Sequence, residues 1–340
     1  MIGSATSNGR VSITGIGSRA PERVMTNDEL AKMVDTSDEG IMERTGIRER
    51  RVAAPDEAMS DLALPASVAA LEQAGVKASD LDLIVVATVT PDMFFPSTGA
   101  ILADRLGAKD AAAYDLSAGC TGFVYAIAQA HGMVASGLAD HALVVGGDVL
   151  SRIVDWEDRS TCVLFGDGAG AVVLERVQQG GFLGFELGAD GSGGPQLYIP
   201  AGGSRQPATA ESVAARQHFA KMNGREVFKF ASRVLVDSAE KVLHECDVSV
   251  GDVDVYVPHQ ANVRIIEHAR KKLGIPEDRT VVNVDRFGNT SSGSIPLALG
   301  DARADGRLVP GEMVLMTGMG AGLTWGSALI EWTANGEGGH

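Results

Sequence analysis

Short apolar runs alternate with longer amphipathic runs along this chain. Residues 83–88, 142–145 and 171–174 are apolar at almost every position, a pattern typical of strands that are buried on both faces. Residues 122–137 carry apolar side chains at helical spacing, which predicts a buried helix. Strands that alternate with helices indicate a layered α/β fold.

The second half of the chain repeats this alternation. Residues 227–246 predict a helix, residues 253–257 predict a strand, and residues 264–273 predict a second helix. Gly274 and Pro276 follow that helix at positions where such residues commonly end one.

One strand-turn-helix unit occurs twice. The Gly-Cys-Thr triplet at 119–121 and the Gly-Asn-Thr triplet at 288–290 both join a strand-like run to a helix-like run. Gly137 lies 17 residues past Cys120, and Gly306 lies 17 residues past Asn289. Two copies of one unit, with different polar residues at equivalent turns, indicate a duplicated fold with a shared active site.

We expect the two halves to be residues 1–178 and 179–340, because the sequence Gln-Gln-Gly-Gly at 178–181 is typical of a connecting turn. Residues 188–203 are rich in Gly, Pro and Ser, so we expect a surface excursion there rather than a domain linker.

Composition excludes several classes of protein. The 340 residues are 45% hydrophobic and 21% charged, as in ordinary soluble proteins. A net charge of −15 argues against general nucleic-acid binding. Three cysteines without a CxxC pair predict neither a disulfide framework nor a zinc site. No segment resembles a signal peptide or a membrane span, so we expect a cytoplasmic protein.

Three residues are candidates for chemistry. Cys120 begins a predicted helix, whose dipole favours the nucleophilic thiolate, although an inert buried cysteine is an equal alternative. His259 follows a predicted strand and could donate to an oxyanion or move a proton; a loop histidine bonded to backbone is the alternative. Asn289 offers an amide donor, or simply forms a turn.

Together the motifs around these residues resemble those of the β-ketoacyl-acyl carrier protein synthase III family, from about residue 11 to residue 332. The matching segments read GCTGF at 119–123, PHQAN at 258–262, GNTS at 288–291, GAGLTWGS at 320–327, RTGIRER at 44–50 and FGDGAGA at 165–171.

The resemblance implies a thiolase-like five-layer αβαβα homodimer with two duplicated halves. It also implies decarboxylative condensation of a short-chain acyl-CoA with malonyl-acyl carrier protein, which gives a 3-oxoacyl-acyl carrier protein and initiates fatty acid synthesis. Cys120, in the first half, would carry the acyl group, and His259 and Asn289, in the second, would stabilise the enolate. The N–H groups of Cys120 and Gly322 would form the oxyanion hole. Acyl-CoA is a substrate here, and no cofactor or metal is implied.

The resemblance assigns further residues to substrate binding. Thr36, Arg44 and Arg159 match positions that contact CoA, with Arg159 stacking on the adenine, and Asn262 matches a substrate-binding position. Phe95 matches a residue that closes the acyl pocket across the dimer interface, where an aromatic ring favours short primers.

A basic set of residues would meet the acidic carrier protein. It consists of Lys229, Arg264, Lys271 and Lys272. A solvated helix face is the ordinary alternative for such charges.

One departure concerns Gly40, where the family usually has a tryptophan that stacks on the adenine. Loss of one stacking partner removes about 0.5–1.5 kcal/mol, which weakens affinity roughly a few-fold to tenfold. We therefore expect either looser binding of the CoA thioester or another carrier as the primer donor.

Related enzymes fit less well. Biosynthetic thiolases have a second cysteine near the C-terminal glycines, and elongating synthases have a second histidine where this chain has Asn289. A specialised condensing homologue of secondary metabolism stays open as an alternative, as does a non-catalytic scaffold that binds carrier proteins. The primer's length and branching are also left open.

Overall fold

The structure, a computed structural model, describes residues 10–333. The N-terminal segment, where the sequence predicts no signal peptide, lies outside the described residues, as do the outer ends of the two predicted halves. Between residues 10 and 333, no helix combines the length and apolar character that crossing a membrane requires.

The strands of the described chain are β1 (Arg10–Arg19), β2 (Val24–Thr26), β3 (Glu49–Arg51), β4 (Leu83–Ala87), β5 (Ala112–Leu116), β6 (His141–Asp148), β7 (Gly168–Val177), β8 (Gly181–Ala189), β9 (Leu197–Tyr198), β10 (Lys221–Met222), β11 (Val255–Pro258), β12 (Met313–Gly320) and β13 (Thr324–Glu331). The helices are α1 (Asn27–Leu30), α2 (Asp38–Thr45), α3 (Met59–Ala74), α4 (Thr98–Leu106), α5 (Gly122–Ala135), α6 (Ala210–Ala214), α7 (Gly224–Glu245), α8 (Val263–Leu273), α9 (Val284–Phe287) and α10 (Ser294–Ala304).

Local capping explains where the predicted elements begin and end. The helix predicted from residue 227 begins at Gly224, because the Asn223 side chain accepts a hydrogen bond from the Glu226 N–H and caps it. The helix predicted from residue 264 is α8, which Asn262 caps in the same way and Gly274 ends in a left-handed conformation.

Two sheets have the same strand order and strand directions. The first has the order β1-β7-β6-β4-β5, and the second has the order β8-β13-β12-β11. Strands β4 and β6 of the first sheet are parallel, as are β11 and β12 of the second, and the pairs towards β1 or β8 are antiparallel. An isolated parallel bridge from Tyr256 to Thr280 takes the place of β5 in the second sheet. The turn at 178–180 separates the two sheets, and the division into two halves stays a prediction.

Five layers stack in the order helix, sheet, helix, sheet, helix. Helices α5 and α10 form the middle layer, where Phe123 and Ile295 share one core with Val144 of the first sheet and Met316 of the second. Helices α3 and α4 cover the outer face of the first sheet. Helices α7 and α8 cover the outer face of the second. Both middle helices begin at the turns that carry the candidate residues.

Candidate active site

Cys120 lies on a 3₁₀ turn, Gly119–Thr121, that leads directly into α5. Its side chain is buried, and the turn packs against the hairpin between β12 and β13. Gly119 has φ +56°, and a Cβ there would come within 2.7 Å of the Ala321 nitrogen. A Cβ on Gly320 would come within 2.4 Å of the Cys120 nitrogen. Glycine at both positions therefore lets the two turns touch.

The surroundings of Cys120 favour the neutral thiol over the thiolate. Burial raises its pKa to about 11; a hydrogen bond from the Ser291 side chain lowers it, and the negative charge of Asp148 raises it. Position at the start of α5 favours the thiolate, as the sequence predicts, but burial away from water outweighs that effect.

His259 follows β11 and is buried. Its backbone N–H donates to the Thr317 carbonyl at 2.7 Å, and its Nδ1 lies 2.6 Å from the Ser294 hydroxyl oxygen. Burial lowers its pKa to about 3, so the ring is neutral at physiological pH. Among the described residues, Nε2 has no hydrogen-bond partner, although it is buried. That nitrogen is the atom left for a substrate.

Asn289 is held by its backbone and by one side-chain atom. Its N–H donates to the Leu164 carbonyl at 2.8 Å, and its Oδ1 accepts from the Ser291 N–H at 2.9 Å. Because Oδ1 is engaged, the amide presents Nδ2, a hydrogen-bond donor, to the cavity that Asn289 lines.

One cavity of about 370 Å³ brings the three candidates together, so Cys120, His259 and Asn289 all line its wall. A second cavity of about 150 Å³ shares Cys120 with it and is lined mainly by apolar side chains. Leu197, Tyr198 and Ile199 form part of that lining. Residues 188–203, which the sequence predicts as a surface excursion, therefore also form part of the wall of the site. The middle of this segment lies over Cys120.

A groove of about 440 Å³ lies outside the first cavity. It is lined by Thr36, Gly40, Arg44 and Arg159. Arg44 and Arg159 also line the cavity that contains Cys120. The predicted CoA-binding positions thus lie along one path to the thiol. Arg159 donates to the Asp35 carboxylate at 3.1 Å at the edge of this groove.

Asn262 lines the inner cavity, but both polar atoms of its side chain have protein partners. Its Oδ1 accepts from the Arg264 N–H at 2.8 Å, and its Nδ2 donates to the Arg44 carbonyl at 3.1 Å. Asn262 therefore caps α8 and contacts Arg44, and its Nδ2 keeps a second proton for a further partner. Its part in substrate binding stays a prediction.

The basic residues predicted to meet a carrier protein are only partly brought together. A groove of about 520 Å³ between α7 and α8 is lined by Lys229 and Lys272, along with Phe228, Ser232, Arg233, Val236, Asp237 and His268. The Arg264 guanidinium lies 5.7 Å from the Phe228 ring centre. Lys271 instead pairs with Glu267 at 3.0 Å. Arg233 and His268 also line this groove, and no motif in the sequence marks either residue.

Gly322 and Phe95 are not among the residues that line the cavities described above. Gly322 is in the turn between β12 and β13, from which Gly320 and Ala321 supply the lining. Phe95 is 85% exposed, and its neighbour Phe94 is 86% exposed.

Sequence reasoning missed a buried carboxylate beside the thiol. Asp148, at the end of β6, accepts from the Thr88 hydroxyl at 2.8 Å, the Val89 N–H at 2.7 Å and the Ser292 hydroxyl at 3.1 Å. Burial raises the pKa of Asp148 against these hydrogen bonds. An aspartate at the end of a predicted buried strand, after the apolar run 142–145 and two glycines, was the available signal.

Residues 10–333 contain no cluster of three or more His, Cys, Asp or Glu side chains that could hold a metal ion. The arrangement instead combines a thiol nucleophile with two neutral hydrogen-bond donors, which is a set suited to acyl transfer and enolate chemistry.

Family models match two segments of the chain. Residues 114–191 match 3-oxoacyl-[acyl-carrier-protein (ACP)] synthase III, and residues 243–332 match the C-terminal part of the same family. The β-ketoacyl-[acyl-carrier-protein] synthase III of Desulfitobacterium hafniense (strain Y51) is 52% identical over 327 residues, which are 96% of this chain and 99% of that protein.

Solved structures agree in fold. The β-ketoacyl-[acyl carrier protein] synthase III of Thermus thermophilus superposes with a TM-score of 0.88 at 48% identity, covering 94% of this chain and 99% of that one. The priming β-ketosynthase of a polyketide biosynthetic pathway has a TM-score of 0.89 at 37% identity, covering 96% and 98%. The thiolase-like fold predicted from the resemblance is confirmed, and the chain belongs to the β-ketoacyl-[acyl-carrier-protein] synthase III family of condensing acyltransferases.

Proposed function

We propose that Cys120, His259 and Asn289 carry out the decarboxylative condensation of a short-chain acyl-CoA with malonyl-acyl carrier protein, which gives a 3-oxoacyl-acyl carrier protein and initiates fatty acid synthesis. One observation carries the assignment of these residues. A buried thiol and two neutral donors line the same cavity, and each donor has its other polar atom held by the protein.

In the first half-reaction, the Cys120 sulfur attacks the thioester carbon of acyl-CoA. A new S–C bond forms as the bond to the CoA sulfur breaks, and the thiol proton ends on the departing CoA. The N–H of Cys120 and, by family resemblance, that of Gly322 stabilise the oxyanion. Close packing of the β12–β13 turn on Cys120 supports this arrangement.

In the second half-reaction, the malonyl thioester loses CO₂, and the electron pair of the broken C–C bond forms an enolate. His259 and Asn289 stabilise the enolate oxygen by hydrogen bonding. The enolate carbon then attacks the acyl group on Cys120, forms the new C–C bond and releases the thiolate, which takes a proton from water. A histidine with a pKa of about 3 suits this role, because it acts as a neutral donor rather than as an acid.

The apolar cavity beside Cys120 supports a short primer. Its volume is about 150 Å³, and an apolar cavity of that size in another protein holds a molecule as large as benzene. A primer of up to about six carbons therefore fits this cavity in the single chain.

A second candidate is priming in secondary metabolism, which the similarity to the polyketide priming synthase favours. In both readings the substrates are an acyl thioester and a malonyl carrier protein, and no cofactor takes part. We assign carrier binding to Lys229, Lys272 and Arg264 beside the α7–α8 groove, since Phe228 lines both that groove and the catalytic cavity. We further propose a cytoplasmic homodimer, in keeping with three unpaired cysteines and the exposed ring of Phe95.

Intact-protein mass spectrometry after incubation with a panel of acyl-CoAs tests this function. We expect one preferred adduct on the wild-type enzyme and none on Cys120→Ala. Malonyl decarboxylation should persist in Cys120→Ala but fall sharply in His259→Ala and Asn289→Ala. Full condensation by Cys120→Ala would overturn the mechanism, and adducts only from acyl-carrier-protein donors would support another carrier as the primer donor.

A further inference from the structure

We propose that Ser294 is a positioning residue that fixes the tautomer of His259, so that Nε2 carries the ring proton and faces the substrate. This inference rests on the proposed function of His259. It concerns a residue that neither the motif comparison nor the lining of the cavity singles out, since Ser294 lies behind the ring at the start of α10.

Donors and acceptors around Ser294 determine the direction of its hydrogen bond. Two polar atoms of the described residues are within hydrogen-bonding distance of its oxygen: His259 Nδ1 at 2.6 Å and the Gln260 nitrogen at 3.3 Å. The Gln260 N–H can only donate, so it uses a lone pair of the hydroxyl oxygen. The single proton of the Ser294 hydroxyl then has one acceptor, which is Nδ1.

A neutral imidazole has one N–H, so an Nδ1 that accepts leaves the proton on Nε2. The opposite tautomer would give Ser294 two donors and leave its own buried proton without an acceptor, which costs about 1–3 kcal/mol. Ser294 is 1% exposed, so water does not offer an easy substitute. The surroundings of Ser294 therefore favour Nε2–H.

The result matters because Nε2 is the atom that meets the substrate. An enolate oxygen needs a donor, and only the Nε2–H tautomer supplies one from a neutral ring. The backbone bond from His259 to Thr317 on β12 fixes the ring's base, and the Ser294 bond fixes its rotation. Ser294 thus acts on the reaction through His259, without touching the substrate.

Nitrogen-15 NMR of the folded enzyme with labelled histidine rings tests the tautomer directly, because protonated and unprotonated ring nitrogens differ in chemical shift. His259→Ala identifies the signal by its loss. We expect a protonated Nε2 and an unprotonated Nδ1 in the wild-type enzyme. A protonated Nδ1 would overturn the inference without needing any variant at Ser294.

Ser294→Ala tests the consequence. We expect the His259 signal to shift towards the other tautomer and malonyl decarboxylation to fall about tenfold, while acylation of Cys120 changes by less than about twofold. Ser238→Ala is the matched control, because it removes a buried hydroxyl, bonded to Ser327 at 2.7 Å, elsewhere in the fold. An unchanged tautomer and unchanged decarboxylation in Ser294→Ala would overturn the inference. If decarboxylation instead survived in His259→Ala, the proposed role of His259 would fail while the tautomer assignment stood.

Discussion

At the scale of single residues, each candidate has one atom held by the protein and another that faces the cavity. His259 is held through Nδ1, and Asn289 is held through Oδ1. Cys120 is held by its backbone turn against Gly320. The free atoms are a thiol and two nitrogens, so the three candidate groups are all neutral. This arrangement favours selective stabilisation of a developing negative charge.

The raised pKa of Cys120 predicts a steep pH dependence for its reaction with iodoacetamide. The thiolate is the reactive form, and below the pKa of about 11 its fraction rises about tenfold with each pH unit. We therefore expect the alkylation rate at Cys120 to keep rising from about pH 7 to about pH 9. Cys120→Ala provides the background from Cys246. A rate that levels off near neutral pH would mean that the helix dipole outweighs burial.

Substitution of Gly40 by tryptophan should strengthen the binding of acyl-CoA. A Cβ at this position would meet only the Ser37 hydroxyl, at 3.1 Å, so a ring can extend into the groove beside Arg159. We expect Gly40→Trp to lower KM for acyl-CoA by roughly a few-fold to tenfold, because a stacking face is restored. Gly251→Trp, at an exposed glycine of the second half, is the control. An unchanged KM in Gly40→Trp would show that adenine stacking does not limit binding.

The reacting groups could be predicted from the sequence, but the residues that hydrogen-bond to them and hold them in place could not. Cys120 and Asn289 lie at equivalent turns, and such local repetition is visible in a sequence. Ser294 meets His259 from 35 positions away, and Asp148 meets Ser292 from 144 positions away. Contacts of this kind depend on the packing of separate elements, which local patterns do not specify.

At the scale of elements, helices α7 and α8 form a basic groove beside the catalytic cavity. Phe228 belongs to both linings, so a partner in the groove lies next to the route to Cys120. Lys229 and Lys272 are exposed there, whereas the charge of Lys271 is offset by Glu267. Lys229 and Lys272 are therefore free to meet a partner's charge, whereas Lys271 is not, although the sequence predicts the same role for all three.

Removal of single charges tests that difference. We expect Lys229→Gln and Lys272→Gln each to lower kcat/KM for malonyl-acyl carrier protein by roughly two- to fivefold at low salt, and less at high salt. Lys271→Gln is the matched control and should have a smaller effect. Acylation by acyl-CoA should not change in any of the three. Equal losses in all three variants would argue for a general effect of net charge.

The helices and strands could be predicted because apolar periodicity is a local property of the sequence. Which segments line the site was harder to predict. Residues 188–203 have the composition of a surface loop, yet Leu197 and Ile199 contribute to the apolar wall near Cys120. Composition describes the backbone preferences of such a segment; it does not specify which cavity its apolar side chains will cover.

At the scale of the whole molecule, one exposed apolar patch stands out. Met93, Phe94 and Phe95 are 49%, 86% and 85% exposed in the single chain, and exposed aromatic clusters of this kind mark interaction sites. Two-fold self-association is the common way to cover such a patch. The patch follows β4 and is close in sequence to Val89, which lines the apolar cavity beside Cys120.

Phe95→Asp should therefore disturb both assembly and primer choice. We expect sedimentation analysis to give a dimer for the wild-type enzyme and a weaker dimer for the variant, because burial of an aspartate in an apolar interface is costly. The mass-spectrometric adduct pattern should shift towards longer acyl groups. Leu138→Asp, at another exposed apolar position, is the control. A wild-type monomer would contradict the proposed assembly.

The middle helix layer has a consequence for folding. Side chains of α5 and α10 share one core with both sheets, so the inner faces of the two sheets are covered together. A protease cut in the turn at 178–180 would leave two fragments that hold together, and unfolding should be one cooperative event. The turns that carry Cys120 and Asn289 both open onto this layer, so the catalytic set exists only once the whole chain has folded.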